Sequence, residues 1–231
     1  ADCGRVQDPY TLRCAPQVLG AVADALDYVE AAIERELAAV TDNPLVFPDG
    51  AGGEILSGGN FHGQPLSLPL DHLALALTEL ASFAERRTYA LLSPSYAGLP
   101  PFLTPHPGLS SGLMIAQYAA AALVNECHTL AHPAGASSIP TSAGQEDFNA
   151  MGAWAALKAR AVVEHCAHVI ATELVCACQG LEFHRPLRTT PALEEALARV
   201  RAYVPRVEED RSLAHEIAGL ATAIRTEEVL A

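Results

Sequence analysis

Leu66, Leu70, Leu73, Leu77 and Leu80 step by fours and threes, the spacing that lays one apolar stripe along a helix, and they predict a long helix over about residues 65 to 92. Leu68 and Leu75 fall off that stripe and alanines fill the gaps, so this helix has no clear wet face and belongs inside a bundle or between subunits. A second stripe, from Leu19 through Val22, Leu26, Val29, Ile33 and Leu37 to Val40, predicts an amphipathic helix after Pro16 that stops at Thr41-Asp42-Asn43-Pro44. Residues 44 to 60 hold Pro48, Asp49 and five glycines, which predicts a loop with at most a small hairpin. A third helix is expected from about Gly112 to Ala131. A fourth, led in by Gln145-Glu146-Asp147, would run to about Gln179 and span on the order of 50 Å at about 1.5 Å per residue. Its acidic start suits the helix dipole, which suggests Glu146 and Asp147 as N-terminal caps. Beyond Gly180, Pro186 and Pro191 punctuate the chain, and two shorter helices near 191 to 202 and 209 to 226 read as a surface hairpin. The expected architecture is all-α: a long-helix bundle core with its loops over residues 1 to 185, then a short C-terminal helical segment over 186 to 231.

Composition agrees with helices. Half of the 231 residues are hydrophobic and only 6% aromatic, with alanine and leucine foremost. A formal charge of -13 would repel nucleic acid and anionic membrane, so neither is expected as a partner. No run of apolar residues approaches the ~18 of a membrane span. The six cysteines, Cys3, Cys14, Cys127, Cys166, Cys176 and Cys178, lack the density of a secreted disulfide framework and read as reduced core residues of a cytoplasmic protein. No metal is expected: Cys176 and Cys178 project to different faces of a helix, and His165 and His168 lack a second ligand pair. The start at Ala1-Asp2-Cys3 has neither an initiator methionine nor a signal-peptide pattern, which raises the expectation of a piece of a longer chain.

Chemistry-bearing residues gather where the long helices begin or end. Gln7, Tyr10 and Arg13 form one set; Asn60, Phe61 and His62, inside Gly58-Gly59-Asn60-Phe61-His62-Gly63-Gln64-Pro65, form another; Gln145 and Glu146 form a third. Were these ends to converge, they would supply a guanidinium fork for a carboxylate, amide donors, a phenol, an aromatic wall and an acid/base carboxylate. Such a pocket fits an amino acid.

Six stretches make the pattern specific: Val6-Gln7-Asp8-Pro9-Tyr10-Thr11-Leu12-Arg13-Cys14, Asp42-Asn43-Pro44-Leu45, Ser57-Gly58-Gly59-Asn60-Phe61-His62-Gly63, Leu99-Pro100-Pro101-Phe102-Leu103, Ser111-Gly112-Leu113-Met114-Ile115-Ala116-Gln117 and Pro140-Thr141-Ser142-Ala143-Gly144-Gln145-Glu146-Asp147. In this order they resemble the signatures of the aromatic amino acid lyase family, in its histidine ammonia-lyase branch. The resemblance runs from the first residues to about Arg188 and more loosely to the end. It implies an all-helical homotetramer built on a central bundle of very long helices, with active sites shared between subunits. It implies elimination of ammonia from an amino acid, histidine giving urocanate, at a methylidene-imidazolone electrophile cyclised from an internal Ala-Ser-Gly. Arg13 would hold the substrate carboxylate, with Tyr10 and Gln7 around the electrophile and the reacting amino acid. Phe61 would line the pocket, Asn60 would organise its loop, and Glu146 would face the substrate's imidazole with Gln145 beside it; Tyr10 and Glu146 are the catalytic candidates.

The sequence has no Ala-Ser-Gly. Leu56-Ser57-Gly58 and Ser110-Ser111-Gly112 fall in other motifs, and Ser142-Ala143-Gly144 has the wrong order. The expectation is therefore the C-terminal part of such a subunit, inactive alone and dependent on an N-terminal segment that carries the electrophile and the family's tyrosine base. Gly144 stands where the family more often has Asn, and Phe148 where many histidine lyases have His. These departures keep a tyrosine or phenylalanine ammonia-lyase or aminomutase as the alternative, and a non-catalytic helical assembly or amino-acid-binding module as the rival from another class.

Overall fold

The computed structural model describes residues 6–94 and 98–227; Cys3 lies outside them. A one-turn helix, α1 (Tyr10–Arg13), leads into α2 (Ala15–Leu37), whose Pro16 sits in the first turn, where no backbone hydrogen bond is lost. Strands β1 (Leu45–Asp49) and β2 (Gly52–Leu56) pair antiparallel, Leu45 opposite Leu56, as the small hairpin that the glycines allow. Then come α3 (Gln64–Leu92), α4 (Met114–Leu130), α5 (Gly152–Phe183), α6 (Pro191–Tyr203) and α7 (Ala214–Arg225). At about 1.5 Å per residue, α3 and α5 each exceed ~40 Å, and they pack along one another with α4 beside both.

Alanine makes this packing close. Ala74, Ala81, Ala84, Ala120, Ala155, Ala159 and Ala171 are buried at the helix contacts, where small side chains let axes approach. Four of the cysteines, Cys127, Cys166, Cys176 and Cys178, fill the same core as free thiols, while Cys14 is half-buried. Burial pushes Cys127 up to about 11 and Cys166 up to about 12, so neither forms the reactive thiolate near neutrality.

In length and composition α5 is apolar enough to cross a membrane, contrary to the expectation that no segment approaches this. Its surroundings give the reason. It is the central helix of the bundle, pairing Lys158 with Asp71 and Glu173 with Arg87, and carrying Val162, Val169 and Val175 into the core. The two C-terminal helices contact one another as expected, and α7 packs further onto α5. Val200, Val204, Val207 and Leu220 share one core with Leu99, Leu103, Val175 and Cys176. Gln179, buried on α5, secures this join: its amide donates to the carbonyl of Val207 (2.7 Å) and accepts from the N–H of the same residue (3.2 Å).

Candidate active site

The chemistry sits at the two ends of α3. At its N-terminal end, Asn43 at the foot of the hairpin accepts from the Ser57 hydroxyl (3.1 Å) and the Gly58 N–H (2.9 Å), while the Asn60 amide donates to the carbonyl of Val40. These bonds shape the loop that presents Phe61, whose ring is 55% exposed. Gly63 then enters α3 in the left-handed region (φ 79°), where a glycine meets no steric cost.

The 131–151 connection packs over the same end. Asp71, buried on α3, accepts from the N–H groups of Ala134 (2.9 Å) and Gly135 (2.6 Å) and from the ammonium of Lys158 (2.9 Å), which also donates to the carbonyl of His132. Burial acts to raise the Asp71 carboxyl, but these donors outweigh it and hold it below its ordinary value. Ser67 donates to the carbonyl of Ala150 (2.5 Å), and Gln64 to that of Gly135 (3.2 Å). Nearer the tip, the imidazole Nε2 of His62 lies 2.9 Å from the carbonyl oxygen of Phe148, with the two rings stacked at 6.0 Å. The Phe61 and Glu146 loops therefore lie side by side.

Glu146 does not cap a helix. Its stretch turns through Ser142, Ala143 and Gly144, all with positive φ (50°, 56° and 89°), and α5 begins only at Gly152 after Met151. That conformation suits Gly144, which takes positive φ without steric cost. Across the turn, Thr141 and Glu146 bridge, Thr141 N–H to Glu146 carbonyl at 2.9 Å, and the Thr141 hydroxyl donates to the Glu146 carboxylate at 2.6 Å. The Thr141 and Ser142 hydroxyls hold the carboxyl of Glu146 below its ordinary value, so it stays ionised and open to solvent, with Gln145 exposed beside it. Asn149 closes the turn from behind, donating to the carbonyls of Ile139 (2.7 Å) and Glu146 (3.3 Å).

Gln7, Tyr10 and Arg13 do not join this group within one chain. Helix α2 runs antiparallel to α3, since Tyr28 meets His72 at 5.4 Å between rings while Asn60 reaches Val40. Its beginning, with α1 before it, thus lies against the far end of α3, on the order of 35 Å from Phe61 at about 1.5 Å per residue. There the three residues form their own cluster. The guanidinium of Arg13 donates to the side-chain oxygen of Gln7 and lies 5.9 Å from the centroid of the Tyr10 ring, which is 72% exposed.

Sequence reasoning set His62 beside Asn60 and Phe61 but did not join it to the Glu146 stretch, and it missed Asp71, Lys158, Thr141 and Asn149. A signal existed for one of them: Lys158 is the only lysine in a chain with 14 basic residues, and it falls in an apolar helix. Among the described residues, no three His, Cys, Asp or Glu side chains gather as metal ligands.

The model of the family described as aromatic amino acid lyase matches residues 1–202. Among curated proteins, the histidine ammonia-lyase of Anaeromyxobacter sp. (strain K) is 53% identical over 96% of this chain and 43% of its own length. That of Symbiobacterium thermophilum is 52% identical over 98% of this chain and 44% of its own. The crystal structure of histidine ammonia-lyase from Trypanosoma cruzi superposes with a TM-score of 0.91 at 45% identity, covering 99% of this chain and 45% of that one. Tyrosine aminomutase from Streptomyces globisporus gives 0.90 at 38% identity, with coverages of 98% and 43%. The chain spans less than half the length of the relatives it matches. With six ordered motifs, a bundle of long helices and a family match over most of its length, the chain belongs to the aromatic amino acid lyase family.

Proposed function

We propose that this chain is the C-terminal part of a histidine ammonia-lyase subunit, which eliminates ammonia from L-histidine without oxidation to give urocanate. The observation that carries the reading is the Glu146 carboxylate, ionised, exposed and held at the tip of a braced turn beside the Phe61 loop. Such a group accepts a hydrogen bond from an imidazole N–H, which a phenyl ring does not offer. Relatives about half identical in sequence that are histidine ammonia-lyases support it.

The residues divide the work. Arg13 grips the substrate carboxylate through its guanidinium fork, and Glu146 orients the imidazole. Tyr10 and Gln7 offer a phenol and an amide to the reacting amino acid, Phe61 and Asn60 supply the wall and its loop, and Gln145 lies next to the carboxylate. The proton on Cβ is weakly acidic, so elimination needs an electron sink. The family's methylidene-imidazolone supplies that electrophile when bound, and this chain has no Ala-Ser-Gly from which to form it. The exposed phenol, amide and guanidinium of the Tyr10 cluster are donors suited to a group that gathers negative charge, so the residues present fit it.

Because the two clusters stand at opposite ends of α3, one site takes the Arg13 end from one copy and the Glu146 end from another. Apolar side chains left open on α2 and α3, among them Leu19, Leu37, Leu68 and Leu75, support assembly with further copies, four in this reading. The exposed Phe148 ring favours one second reading, a tyrosine or phenylalanine ammonia-lyase or aminomutase.

The test is urocanate absorbance. The chain given L-histidine should yield no rise by itself and should turn over once joined by a segment carrying Ala-Ser-Gly. Activity from the chain alone would mean that the electrophile is misassigned. Turnover of tyrosine or phenylalanine but not histidine by the assembled protein would favour the second reading.

A further inference from the structure

His62 has no part in the scheme above, yet it is the side chain through which the Phe61 loop holds the Glu146 turn. Its half-buried imidazole meets the carbonyl of Phe148 at 2.9 Å and lies nearly parallel to the Phe148 ring, at 18° between planes. A carbonyl can only accept, so Nε2 carries the hydrogen. Phe148 is two residues beyond Glu146. Its neighbours on the other side are already fixed, since the Asn149 N–H donates to the Ser138 hydroxyl (2.6 Å) and the Ala150 carbonyl accepts from Ser67. Upstream, the turn passes through Ser142 and Ala143 in the left-handed region, which neither residue prefers, so its shape depends on such contacts.

We propose that His62 is a positioning residue: it clamps Phe148 by one hydrogen bond and one ring contact, and so sets the Glu146 carboxylate at a fixed place relative to Phe61. The proposal rests on the reading of Glu146 as the partner of the substrate's imidazole. Without the clamp, the carboxylate loses its fixed place beside the pocket wall, and the loss falls on histidine binding more than on turnover.

The experiment is a double-mutant cycle in the assembled, electrophile-bearing enzyme. His62→Ala should raise KM for histidine by about tenfold, the scale of one lost hydrogen bond and its packing, with a smaller change in kcat. His62→Gln, whose amide can still reach the Phe148 carbonyl, should recover most of that, while His62→Phe, which keeps only the ring, should recover part. This pair decides the matter if His62→Ala fails to fold. In a Glu146→Gln background, His62→Ala should add less than about twofold, because the group it positions is gone. An undiminished effect in that background, or no effect in the wild type, would overturn the proposal and leave the role of Glu146 standing. Should Glu146→Gln itself leave kcat/KM for histidine unchanged, the parent reading fails, and the proposal with it. Amide exchange of the chain adds a readout without substrate: the Asn149 N–H should exchange faster in His62→Ala, and unchanged protection would mean that no clamp exists.

Discussion

Replacing Asp71 with Asn tests the joint between the bundle and the connection that carries Glu146. Asp71 is 6% exposed and Lys158 4%, so the two charges are buried together, and the carboxylate also takes the Ala134 and Gly135 N–H groups. An Asn keeps one acceptor oxygen for those amides but leaves the ammonium with only the carbonyl of His132. Removing one partner of a buried pair costs about 3–5 kcal/mol, which in a chain of this size lowers the melting temperature by roughly 10 °C. The assay is thermal unfolding by far-UV circular dichroism at pH 7, for Asp71→Asn and for Asp71→Asn with Lys158→Met. The double variant buries no unpaired charge and should recover more than half of the loss. Acid supplies a second readout. The folded carboxyl lies below its ordinary 3.8, so its contribution is complete above that value and is lost as pH falls through the lower folded one. Asp71→Asn should flatten this acid limb. A single variant within about 1 kcal/mol of wild type, or a double variant worse than the single, would refute the reasoning.

Other outcomes follow from single positions. Gly112 has φ +57° and a Cβ there would stand 2.4 Å from the backbone oxygen of Phe102, so Gly112→Ala should cost roughly 2–4 kcal/mol in urea unfolding. Gly135→Ala collides instead with the Ser67 hydroxyl at 2.2 Å, so adding Ser67→Ala should return part of its loss. Glu194 is pulled from an ordinary 4.5 to about 2 by Arg185, with the Thr189 N–H assisting. Its anchoring of α6 should be complete above pH 4.5 and disappear as pH falls towards 2, a change that Glu194→Gln removes from an acid titration followed by amide exchange. In the assembled enzyme, Arg13→Ala should lower kcat/KM for histidine by about 2–5 kcal/mol in urocanate release, and an unchanged rate would remove Arg13 from the site.

Apolar periodicity located the long helices well: the leucine stripe predicted residues 65 to 92, and α3 is Gln64–Leu92. It misjudged the start of α5, because Gln145-Glu146-Asp147 has the composition of an acidic helix start. What decides that stretch is a set of side-chain bonds that apolar periodicity does not record: Thr141 and Asn149 brace the left-handed turn locally, and His62 holds it from 86 positions away. The pairing of Asp71 with Lys158, 87 positions apart, was out of reach for the same reason, although a sole lysine among arginines marked one half of it. The identities of the candidate site residues were legible as motifs. Their separation along α3 was not, because motif order carries no information about which end of an antiparallel helix pair a residue occupies.

The central claim is that one site draws its Arg13 end and its Glu146 end from different copies of the chain. Subunits bearing Arg13→Ala and subunits bearing Glu146→Gln, each supplied with the electrophile-bearing segment, can be mixed, dissociated and reassembled, and urocanate formation followed. Each variant alone should be nearly inactive, and the mixture should regain roughly a quarter of wild-type activity, as random assortment gives when a site takes its halves from two copies. A mixture no more active than the sum of its parts would place both halves in one chain and contradict the account.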